Sequence, residues 1–89
     1  MAWYRYKFMY GPGHQGDHEE YRWYDYVPSV EEERETMHEI AHDHYMENWH
    51  CDCDPVEALP EKVREVFIKK YRGYIAYGRR MLEVLGEKE

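Results

Sequence analysis

Residues 36–53 hold four of the six histidines and both cysteines of the chain, so the chemistry that residue types allow is concentrated there. His38-Glu39-Ile40-Ala41-His42 places two imidazoles four residues apart with a carboxylate beside the first. On a helix that spacing turns both rings to one side, one turn apart, where they can share a metal ion while the glutamate polarises a bound water. Eight residues further on, His50-Cys51-Asp52-Cys53 supplies a second set of nitrogen and thiolate donors. His38, His42, His50, Cys51 and Cys53 are therefore the candidate metal ligands. A four-coordinate zinc built from them would be structural if the helix ends beside the loop that follows. His50 and Cys51 make a Cys–His pair, but nothing in the sequence marks an activated nucleophile, and a catalytic triad is not supported.

The elements that must position these donors can be read along the chain. Trp3 to Tyr10 alternates, with Tyr4, Tyr6, Phe8 and Tyr10 on one side and Trp3, Arg5, Lys7 and Met9 on the other. Period two with aromatic enrichment predicts a strand. Gly11 to His18 is dense in turn residues and predicts a long hairpin tip, with Tyr21 to Val27 as the returning strand. Ser29 with Glu32 three residues later is a capping box, which predicts a helix from there to about Asn48. Val30, Met37, Ile40, Ala41, His44 and Tyr45 fall on its apolar face, and His44 there reads as a packed histidine. Glu35, His38 and His42 form a row of donors on its flank, which Trp49 would extend.

Residues 50–58 predict a loop or a short third strand, with Asp54-Pro55 as a turn. Leu59-Pro60-Glu61 opens a final helix with an apolar stripe of Val63, Val66, Phe67, Tyr71, Tyr74, Ile75, Tyr77, Met81, Leu82 and Leu85. Gly73 and Gly78 imply close packing or a bend within it, and Gly86 a stop. The expected fold is one small α+β domain over residues 1–89, an aromatic antiparallel hairpin packed against two α-helices.

Length and charge bound the function. A chain of 89 residues has a thin core, which oligomerisation, a metal or a partner could extend. The net charge of −7 is unevenly spread: residues 17–61 hold fifteen acids against Arg22 and Arg34, and residues 62–89 hold eight bases against four acids. The acidic middle would repel nucleic acid and attract a basic protein surface, unless the basic third folds back to neutralise it. No run of about 18 apolar residues spans a membrane. The N-terminus lacks the apolar core of a signal peptide, and a Cys-x-Cys pair is a poor disulfide, so a reducing cytoplasmic setting is expected.

Over five residues, His38 to His42 resembles the zincin metallopeptidase motif. The surroundings depart from it: Glu35, Asp43 and His44 stand where such helices are uncharged, and no spaced third histidine follows. The stretch from Val56 to Tyr71, continuing to Ala76 and Met81-Leu82, resembles the end of small phage and mobile-element accessory proteins. These often pair it with an aromatic hairpin such as Tyr10-Gly11-Pro12-Gly13-His14. That resemblance implies an accessory role against a host defence protein, and it carries over no catalytic residue.

The expectation that follows is a non-enzymatic interaction protein. Glu31, Glu32, Glu33, Glu35, Glu39 and Asp43 would mimic nucleic-acid charge towards a basic host protein, with tyrosines as anchors. A zinc-stabilised module using the His/Cys cluster is the alternative, and zinc is the one cofactor the sequence suggests. A third reading is an anionic-ligand binder formed by the Gly11–Asp17 loop with Arg5, Lys7 and Arg22. Histidines set among carboxylates could also make a pH-sensitive surface.

Overall fold

The computed structural model describes residues 1–73 and 76–86, with the side chains of residues 76–78 excepted. The chain forms two compact units, Met1–Glu57 and Ala58–Glu89.

The first unit is a three-stranded antiparallel sheet carrying one helix. Strand β1 (Ala2–Tyr10) lies in the centre, flanked by β2 (Gly16–Tyr24) and β3 (His50–Val56), in the order β2-β1-β3. Helix α1 (Val30–Asp43) connects β2 to β3. The expected α+β class is thus observed, and the third strand is real. Tyr4, Tyr6 and Phe8 of β1 pack with Ile40 and Ala41 of α1, and Tyr24, Met37, Met46, Trp49, Cys51 and Cys53 close around them. Tyr6 and Phe8 are fully buried, so the alternation read from the sequence points its aromatic face at α1. A chain of hydroxyls ties the layers together: Tyr6 to Tyr24 at 2.6 Å, Tyr24 to Thr36 at 3.4 Å, and Thr36 donating to the Glu32 carbonyl at 3.0 Å.

The hairpin is tighter than expected. β2 begins at Gly16 rather than Tyr21, and Tyr10 pairs directly with Gly16 across a five-residue connection that holds a 3-10 turn at Pro12–His14. A Cβ at Gly16 would stand 2.6 Å from the Tyr10 ring, so glycine there lets the ring cross the strand end. Asp54 and Pro55 are not a turn. Both pair with β1 inside β3. Proline is tolerated there because β3 is an edge strand whose outer side needs no N–H donor.

Helix α1 starts as expected, with Ser29 and Glu32 forming a reciprocal capping box. It ends at Asp43, five residues earlier than expected. His44 is the C-cap and Tyr45 adopts φ +53°, while Met46 N–H bonds the Ala41 carbonyl at 2.9 Å and Tyr45 N–H the His42 carbonyl at 3.2 Å. These two bonds are the Schellman termination, with tyrosine where glycine is usual. Of the expected apolar face, Ile40 and Ala41 are buried, whereas Val30 is 64% and Tyr45 89% exposed.

The second unit is helical. The long final helix expected from the sequence is two helices, α2 (Glu61–Tyr71) and α3 (Ala76–Val84), with Arg72 and Gly73 in the turn that ends α2. Pro60 sits one residue outside α2 as its N-cap. Arg64 donates twice to the Leu85 carbonyl, at 3.1 and 3.3 Å, placing a cation at the end of α3 where the helix dipole favours it. Gly86 has φ +79° and follows the end of α3, the stop expected there. Ile68, absent from the expected stripe, is buried along with Tyr71, Met81, Leu82 and Leu85. Tyr74, Ile75 and the Tyr77 side chain lie outside the described residues.

Candidate functional site

Helix α1 carries the acids singled out above, and the helical repeat divides them. Glu31, Glu35, Glu39 and Asp43 are spaced by four and all exposed, forming one ridge. At 1.5 Å per residue the ridge is about 18 Å long. Glu32 and Glu33 turn inward and are half-buried. Glu32 closes the capping box and accepts a short hydrogen bond from the Tyr26 hydroxyl, which together hold its carboxyl below the usual range. Among the described residues, none of the four ridge acids has a cation within ion-pair distance. An exposed tyrosine stands just before the helix and another just after it, Tyr26 at 54% and Tyr45 at 89% exposure.

The ridge costs the fold something. Like charges four residues apart on a helix destabilise by roughly 0.2–0.5 kcal/mol per pair. Asp43 adds a carboxylate to the last turn, where the helix dipole disfavours it. The first-turn acids Glu31, Glu32 and Glu33 are in contrast well placed against the dipole.

The His/Cys donors do not converge. His38 and His42 are exposed on α1, and His38 stacks edge-on against Trp49 at 5.1 Å. Both line a shallow groove of about 400 Å³ with Tyr45, Met46 and Trp49. Cys51 and Cys53 alternate onto the face of β3 that packs towards α1, where both are half-buried. His50 is exposed, at 3.2 Å from Asp52. Burial pushes the Cys51 thiol up to about 12, helped by Cys53 and Asp52, and the Cys53 thiol up to about 11. Strand alternation is the physical reason the cluster is not assembled: His50 and Asp52 face away from Cys51 and Cys53.

Among the described residues, three donors come within 4.8 Å of one another, and they are His18, Glu20 and His44. His18 and Glu20 sit two apart on β2 and so face the same way, towards α1. The early end of α1 brings His44 over them. Glu20 Oε2 lies 2.8 Å from His18 Nε2 and 3.0 Å from His44 Nε2, and the two imidazole centroids are 4.3 Å apart. Arg22 holds the other carboxylate oxygen at 2.8 Å. Burial raises the Glu20 pKa, but the hydrogen bonds from His18 and Arg22 outweigh it and the carboxyl sits below its usual value. By sequence pattern alone His18 falls in the hairpin tip and His44 in the apolar stripe of α1. The pattern His-x-Glu becomes visible only once β2 is extended to Gly16.

The hairpin tip does not gather the cations of the anion-binding reading. Arg22 lies on the α1 side engaged with Glu20, whereas Arg5 and Lys7 point to the opposite face of the sheet. Gly11 N–H is already bonded to the Glu47 carbonyl at 2.8 Å, and Asn48 reaches the Gly11 carbonyl at 3.4 Å. Those bonds fasten residues 44–49 to the tip and hold Tyr45 and Asn48, both at positive φ, in place.

Comparison with family models, curated proteins and solved structures returned no match. No helix among the described residues is long and apolar enough to cross a membrane.

Proposed function

We propose that the protein is a non-enzymatic interaction module that docks a basic protein surface against the exposed ridge of α1. The observation that supports this is the row Glu31, Glu35, Glu39 and Asp43, exposed and without an ion pair among the described residues. Repulsion along the row and the misplaced Asp43 destabilise the free protein, and a cationic partner would relieve both. Tyr26 and Tyr45 bracket the ridge with rings that can bury apolar area while keeping a polar tip, the composition of binding hot spots. A surface of basic residues that otherwise holds a nucleic-acid backbone has the complementary charge. A phage-encoded protein acting on such a host factor in the cytoplasm belongs to the same proposal.

The test is capture from a lysate of the cells that express the protein, comparing wild type with the triple variant Glu31→Lys, Glu35→Lys, Glu39→Lys. Circular dichroism would check that both are folded. The expected result is a basic partner retained by wild type, released by moderate salt, and lost at least tenfold by the variant. A partner held equally by both proteins would overturn the reading.

A further inference from the structure

We propose that His18, Glu20 and His44 form a binding site for a single zinc-class divalent cation that ties the end of α1 to edge strand β2. The site is separate from the acidic ridge and uses none of its residues.

Three observations carry it. The donor set is two imidazoles and a carboxylate, which suits zinc. Two donors come from β2 and the third from the C-cap of α1, yet all point at one spot, with one carboxylate oxygen 2.8 and 3.0 Å from two Nε2 atoms and all three ligand atoms within 4.8 Å of one another. Tetrahedral zinc with bonds of about 2.0–2.1 Å needs ligand atoms about 3.3 Å apart. The carboxylate would therefore back away by a few tenths of an ångström, a movement within side-chain reach.

The surroundings fit as well. Arg22 grips Glu20 Oε1 at 2.8 Å, which aims Oε2 at the histidines in the manner of an outer-shell partner. The Phe8 ring lies beside His18, at 6.4 Å between centroids, and gives the site an apolar floor. His44 is about half exposed and β2 is an edge strand, so a fourth position stays open to water or to an exogenous donor. Both histidines already lean on the carboxylate. In the metal-free protein those hydrogen bonds keep the donors gathered, and cation binding exchanges them for coordination.

The experiment is calorimetric titration of the full chain with zinc chloride, followed by melts with and without chelator. It is repeated on His18→Ala, His44→Ala, and the double variant His38→Ala, His42→Ala. Cobalt(II) replaces zinc in a parallel absorption measurement. One ion per chain is expected, with a rise in melting temperature that chelator reverses. Affinity should fall at least tenfold in His18→Ala and His44→Ala and stay unchanged in the double variant. The cobalt spectrum should lack a thiolate charge-transfer band. Because His44 is a half-exposed cap residue, His44→Ala decides the question even if His18→Ala fails to fold. Absence of saturable binding, retention of wild-type affinity in His44→Ala, or a thiolate band would overturn the proposal.

Discussion

Replacing Tyr45 with glycine should stabilise the protein. Tyr45 sits at φ +53° in the termination of α1, and 89% of its surface is exposed. An L-residue in the left-handed region loses roughly 1–2 kcal/mol that glycine does not. Against this, glycine gives the unfolded chain extra freedom worth roughly 0.5–1 kcal/mol. The exposed ring forfeits little packing, so the net gain centres on about 0.75 kcal/mol, or a rise in Tm of roughly 3–6 °C for a chain of this size. Tyr45→Ala is the control, since it removes the same ring but keeps the positive φ, and its melt should stay close to wild type. Thermal circular dichroism of the three proteins gives the numbers. A glycine variant that melts at or below the alanine variant would refute the strain argument. Both variants lose the tyrosine, so if Tyr45 anchors the partner both should bind it about tenfold more weakly.

Asp43→Lys removes the repulsion with Glu39 and sets a cation in the last turn of α1, so it should raise stability by about 0.5–1.5 kcal/mol in urea denaturation while weakening capture of the partner. Phe8→Ala should cost about 3–5 kcal/mol and leave the first unit largely unfolded at 37 °C by near-UV circular dichroism, because Phe8 is fully buried at the centre of its core. Cys51 and Cys53 have thiols held at about 12 and about 11 against 9.0 when free, so the unfolded chain ionises first. Stability should therefore be intact below pH 9 and fall as pH rises from 9 towards 11–12, which a urea midpoint that stays flat to pH 11 would contradict. The same thiols should react with iodoacetamide at pH 8 far more slowly in the folded protein than in urea, by mass spectrometry of quenched samples.

What the sequence disclosed was local. The Ser29–Glu32 capping box and the alternation of β1 each lie within a few residues, and both are found where they were expected. The missed features depend on distant pairing. Asp17-His18-Glu19-Glu20 has no apolar alternation of its own and becomes a strand because β1 accepts its backbone. Asp54-Pro55 has turn chemistry, but pairing opposite Tyr4 and Arg5 of β1 overrides it. The end of α1 carries no glycine to announce it, since a tyrosine takes the left-handed position. The His18, Glu20 and His44 group needs both the register of β2 and that early helix end, so spacing alone could not reveal it. His38 and His42 have the more familiar spacing, but α1 leaves them on an exposed flank beside Trp49.

Zero-length carbodiimide crosslinking of the protein to its captured partner tests the central claim most directly, because it joins only carboxylates and lysines in contact. Peptide mapping should place the links at Glu31, Glu35, Glu39 or Asp43, to lysines of a basic surface. Links confined to Asp17, Asp52 or Asp54, with the ridge of α1 unmodified, would contradict the account.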